Sequence, residues 1–134
     1  MKKNTRSNGQ SLAEFALTLP LLLLVIMGIF DLGRGIFYYS VINNAAREGA
    51  RFGAVYCDSP GIKNAVRTRA LGLVEDSDID DEIFSNDGIP ERVVVTVTYE
   101  FNTVTPLIGK FFDDGSITLT GKARQLIESP STCN

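Results

Sequence analysis

Two groups of residues in this chain have the types and spacing to do chemistry. The first is Gly9-Gln10-Ser11-Leu12-Ala13-Glu14-Phe15, where a short basic leader ends on a glycine, a carboxylate follows five residues later, and an almost uninterrupted apolar run continues to Phe30. The chemistry here is a peptide cut between Gly9 and Gln10, which would turn Gln10 into a free α-ammonium one helical turn before Glu14. The second group is Cys57 with Cys133, an even pair set after a long helical stretch and at the far C-terminus. Outside the cytoplasm these two can oxidise to a disulfide. It would close a loop of about 77 residues and stabilise the fold by roughly 4 kcal/mol in the chain-entropy account. Two unpaired thiols are the alternative, and metal binding by two cysteines without histidine is disfavoured.

Other chemistry is poorly provided for. The 134 residues contain no histidine and no tryptophan, which removes histidine-based acid–base catalysis and the usual histidine-containing zinc sites. No nucleophile–base pair, metal cluster or phosphate loop is visible, so no catalytic, cofactor-binding or metal site is assigned and an enzyme is not expected. Asp76-x-Asp78-x-Asp80 has the opening spacing of a calcium loop, but Asp81 stands where such a loop needs glycine and Asp87 where it needs a bidentate glutamate. A solvated acidic loop over residues 75–82 is the better reading.

The elements that must hold these groups follow from hydropathy. From Leu12 to Phe30 only Glu14, Thr18, Pro20 and Gly28 are not plainly apolar, and these residues as a helix reach about 28 Å, close to the hydrocarbon thickness of a bilayer. Lys2, Lys3 and Arg6 precede the run with no acid among them, so the leader stays cytoplasmic and the body lies outside. A conventional secretory signal would be cut after the run, yet no small-residue site is present there. Beyond Gly9, ten Lys and Arg stand against sixteen Asp and Glu, an acidic balance that argues against nucleic acid as a partner.

Within the span two residues are out of place. Glu14 costs about 2–3 kcal/mol if held near the bilayer centre and less near its edge. It either reaches headgroups at the cytoplasmic edge or, once helices stack with an axial offset, meets a neighbour's N-terminal amine. Pro20 deprives the Ala16 carbonyl of its partner and should bend or loosen the helix.

Past Asp31 the helical signal continues to Tyr56, with Leu32, Ile36, Tyr39 and Ile42 at helical spacing. Two small-residue stripes, Ala45/Gly49/Gly53 and Ala46/Ala50/Ala54, admit close packing, either under the domain's own sheet or against neighbouring subunits. Asp58 to Gly61 reads as a turn and residues 62–74 as a short amphipathic helix. Residues 91–101 are the clearest strand, with Val93, Val95, Val97, Tyr99 and Phe101 on one face. A second strand fits residues 116–127, and a short one near Ile83 and Phe84 could join. The connection over residues 102–115 reads as a packed loop or contact surface. The expected fold is α+β, a long N-terminal helix packed against a short helix and a small antiparallel sheet. Its divisions are a leader over 1–9, a transmembrane or assembly helix over 10–31 and an extracytoplasmic domain over 32–134.

Taken together, the stretch from Gly9 through Glu14-Phe15 to Pro20, then Asp31-Leu32-Gly33-Arg34, then Asn44-Ala45-Ala46-Arg47-Glu48-Gly49-Ala50-Arg51 resembles the TadE-like pseudopilins, minor components of tight-adherence (Flp-type) pili, which are type IV-like. The resemblance covers the first 55 or so residues closely. It implies processing by a prepilin peptidase after Gly9, residence in the inner membrane, and assembly with other pilin or pseudopilin subunits by a platform protein and a cytoplasmic ATPase. Glu14 falls on the glutamate common to pilins. Phe15 replaces the tyrosine usual in major Flp pilins and, with the sizeable body, points to a minor subunit. The alternative is a single-span membrane protein, never cut, whose acidic outer domain binds a partner.

Overall fold

The computed structural model describes residues 7–105, 116–128 and 133. A helix of 50 residues, α1 (Ser7–Tyr56), is followed by a short helix, α2 (Ser59–Arg69), and by three strands, β1 (Ile79–Asn86), β2 (Ile89–Asn102) and β3 (Ser116–Leu126). At 1.5 Å per residue α1 is about 75 Å long. Its second half lies against α2 and the sheet; its first half stands alone.

The sheet is antiparallel with β2 in the middle. Alternation along β2 turns Val93, Val95 and Val97 inward, all fully buried, with Phe101 at the end of the same face. They meet Ile42, Ala45, Ala46, Ala50 and Ala54 of α1 and Ile62, Val66 and Ala70 of α2, which together make the core. Small residues on α1 permit this approach. A side chain at Gly49 would collide with Val66, and a Cβ at Gly53 would sit 2.8 Å from Ile62. Both small-residue stripes are thus taken up inside the domain. Gly121 on β3 does the same from the other side, where a Cβ would lie 2.8 Å from the Ile42 carbonyl oxygen.

Local structure departs from the sequence expectations in four places. Asp58 to Gly61 is no free turn: Asp58 caps α2, its carboxylate accepting the Gly61 N–H at 2.9 Å, and Ser59, Pro60 and Gly61 form the first helical turn. That helix ends at Arg69 and does not reach Val74, because Leu71 and Gly72 turn left-handed (φ 57° and 74°) and the Gly72 N–H closes on the Arg67 carbonyl. The acidic stretch expected as a solvated loop is instead a 3-10 turn over Asp76–Asp78 running into β1, an edge strand much longer than the short one expected near Ile83. Pairing with β2 outweighs the low strand propensity of Asp80, Asp81 and Glu82, whose side chains stay largely in water at the sheet edge. Finally, α1 includes Ser7, Asn8 and Gly9, so the helix expected from residue 10 takes in the end of the leader; an established helix extends backwards at little cost.

The β1–β2 hairpin closes on Asp87 and Gly88, both at positive φ, a two-residue turn whose twist suits the flanking strands. β2 starts at Ile89, two residues earlier than expected, and β3 ends at Leu126, one residue short of Ile127. The Ile127 N–H still bonds the Glu91 carbonyl, and Glu128 N–H reaches Ala54 at the end of α1.

Candidate assembly site

Gly9, Gln10, Glu14, Phe15 and Pro20 all lie on the bare half of α1 and are exposed. Leu17 is 80% exposed and Leu21 65%. In water a helix face of this kind would be covered by the domain's own core, so its bareness fits a lipid or protein environment. This helix is long and apolar enough to cross a membrane.

Gln10 and Glu14 are one turn apart, on the same side of the helix. Glu14 makes no ion pair among the described residues. Thr18, one turn further, donates its hydroxyl to the Glu14 and Phe15 carbonyls at 3.0 and 3.1 Å. The helix runs unbroken through Pro20.

Where the bare half ends, a cluster absent from the sequence reading joins α1 to the chain leaving β2. Asp31 is 4% exposed although it follows directly on the apolar run. Its carboxylate accepts the backbone N–H of Val104 (3.0 Å) and of Thr105 (2.7 Å), on the chain leaving β2. Arg34 pairs with it at 3.4 Å and lies over the Phe101 and Tyr38 rings, 5.3 and 5.9 Å from their centroids. Tyr38 in turn packs on Tyr99. The signal for this cluster was an acid and a base three apart just past the apolar run, but the strand end that they hold is more than seventy residues away. Beside it an open apolar groove of ≈ 280 Å³ runs between Gly28, Leu32 and Ile36 of α1 and Phe101, Ile117 and Leu119 of the sheet. Of the helical row Leu32, Ile36, Tyr39 and Ile42, only Ile42 is buried.

Cys57 and Cys133 are joined by a disulfide. Cys57 ends α1 in the left-handed region (φ 49°), its N–H on the Gly53 carbonyl at 3.0 Å. The bond fastens the C-terminal segment to the end of the long helix.

The three aspartates with calcium-loop spacing lie on the 3-10 turn and the start of β1. Asp76 pairs with Arg67 at 3.2 Å, Asp78 accepts the Glu75 N–H at 2.9 Å, and Asp80 belongs to β1. On the outer side of α1, Glu48 pairs with Arg51 at 2.7 Å, and the guanidinium holds the Glu48 carboxyl below its ordinary value against the opposing effect of partial burial. The expected contact surface in residues 106–112 lies outside the described residues, as does the leader before Ser7.

A bare apolar helix, long and apolar enough to cross a membrane and with one carboxylate near its start, runs into a small α+β head packed on its far half. Residues 9–51 match the family model described as TadE-like protein. That segment, the bare half of α1 and most of its covered half, is similar to TadE-like proteins. No curated protein and no solved structure matches the chain.

Proposed function

We propose that this chain is a minor pilin-like subunit that a prepilin peptidase cuts between Gly9 and Gln10 and that then enters, initiates or tunes a Tad-type pilus from the inner membrane. The supporting observation is Glu14: a carboxylate on a bare apolar helix, one turn from Gln10, with no cation facing it among the described residues. Unpaired charge in an apolar setting is costly until it is matched. In this proposal a neighbouring subunit's N-terminal amine supplies the match and so sets the axial register between helices. Pro20 lies where a helix leaving lipid would need to yield. The basic leader keeps the N-terminus cytoplasmic and the head outside, with the platform protein and the assembly ATPase acting from the membrane and the cytoplasm.

Mass spectrometry of the chain from cells with an active prepilin peptidase tests the first step, and an N-terminus at Gln10 is expected. An intact Met1 would favour the other reading, an uncut single-span protein with a partner-binding head. Gly9→Val should block processing. Glu14→Ala should still be cut but fail to support piliation, and normal pili in that strain would remove the register role of Glu14.

A further inference from the structure

The two edges of the sheet carry opposite charge. On the outer face, away from α1, the register aligns Asp80 with Thr96 and Lys122, and Glu82 with Val94 and Arg124. Thus β1 presents Asp80 and Glu82, while β3 presents Lys122 and Arg124, and Arg92 on β2 lies over Phe84 at 4.9 Å. Strand β1 holds three acids and no base; β3 holds two bases and no acid. None of these side chains makes an ion pair among the described residues. Glu82 and Arg124 stand on either side of β2, their Cα atoms about 10 Å apart at strand spacing, and their side chains do not meet. Between the basic side chains, Phe84 and Val94 the face dips into a recess of ≈ 440 Å³.

Charges on edge strands ordinarily prevent sheets from joining, and two edges of the same sign would serve that end. Opposite signs do the reverse. We infer that β1 of one copy seats beside β3 of the next, Glu82 against Arg124 and Asp80 against Lys122. Both strands are antiparallel to β2 and therefore run in the same direction, so one copy can be shifted alongside another with every α1 pointing the same way, as chains crossing one membrane in one direction require. The contact is heterologous: each copy uses one edge to give and the other to receive, and the series stays open unless its rotation closes a ring. This deepens the proposed pilin-like role and rests on it, adding a contact between heads to the one proposed between helices.

The test uses the full chain in membranes with Glu82→Cys and Arg124→Cys together, oxidised mildly. A disulfide needs Cα atoms within about 7 Å, so the two new cysteines cannot close within one copy. A ladder of covalent multimers is expected on nonreducing gels. Absence of cross-linked copies, dimers that go no further, or capture of a different protein in place of a second copy would each overturn the proposal. Adding Lys122→Glu should weaken the ladder about tenfold through like-charge contact with Asp80, and Asp80→Lys in the same chain should restore it. A ladder that ignores both changes overturns the charge pairing. The same membranes are assayed for the N-terminus. An N-terminus at Gln10 without a ladder removes the edge contact alone, whereas a ladder with Met1 intact removes the processing step and keeps the contact.

Discussion

Both halves of α1 carry apolar faces, yet those faces meet opposite fates. Over residues 12–30 most side chains are large, leucine the commonest, and exposed; over residues 42–54 the facing side chains are small, Ala45, Ala46, Gly49, Ala50 and Gly53, and buried. Hydrophobicity alone does not decide where a helix face goes. On the covered half, small residues bring the α1 backbone close enough for Val66, Ile62 and Val93 to fill the space, whereas the larger side chains of the bare half stay exposed, open to lipid or a neighbour. Asp31 stands at the border and fastens the head where the covered half begins.

Breaking the covered half should cost most. Cys57→Ser removes the tie between the end of α1 and the C-terminus and should cost about 4 kcal/mol, read as a lowered denaturation midpoint of the head and lost on nonreducing gels as a mobility change. Gly121→Val places two extra methyl groups and a Cβ against the Ile42 backbone, which cannot withdraw; about 3 kcal/mol is expected. At the border, Asp31→Ala leaves the Val104 and Thr105 amides without their acceptor at a cost of about 2 kcal/mol, and amide exchange should quicken at those two positions before it does in the core. In the bare half, Leu21→Ala should leave the head's stability within about 0.5 kcal/mol. A large loss there would mean that the head reaches down over the span, and would undo the contrast.

The smallest effect belongs to the Glu48–Arg51 pair, which is half exposed and screened. Because the Glu48 carboxyl titrates below its ordinary value in the folded state, its contribution is complete above that ordinary value and fades as pH falls through the lowered one. Glu48→Gln should therefore lower the melting temperature slightly near neutrality, with the difference from the unchanged chain fading in acid, so that the shallow acid limb of the melting curve is flattened.

Much of this was legible in the residues themselves. The long helix, the inward face of β2 and the pairing of β3 with it followed from periodicity, which is a local property. Other features were legible but passed over. Asn86-Asp87-Gly88 carries a strong hairpin signal, and Leu71-Gly72 marks a helix end, yet the apolar spacing through Leu73 drew the expected helix onward. Only the Ile83-Phe84 part of β1 had a local signal; over Asp80, Asp81 and Glu82 there was none, since Asp and Glu disfavour strands and the hydrogen bonds offered by β2 make one there.

The sequence by itself determined a helix long and apolar enough to cross a membrane, the Glu14 within it, the glycine before it and the even pair of cysteines, because each depends on the order and type of neighbouring residues. Only the tertiary structure decided that Asp31 clasps a strand end more than seventy residues away, that Gly121 admits the backbone of α1, and that acids and bases collect on opposite edges of one sheet. These are contacts between distant segments, and composition leaves them open until the chain has closed its loops.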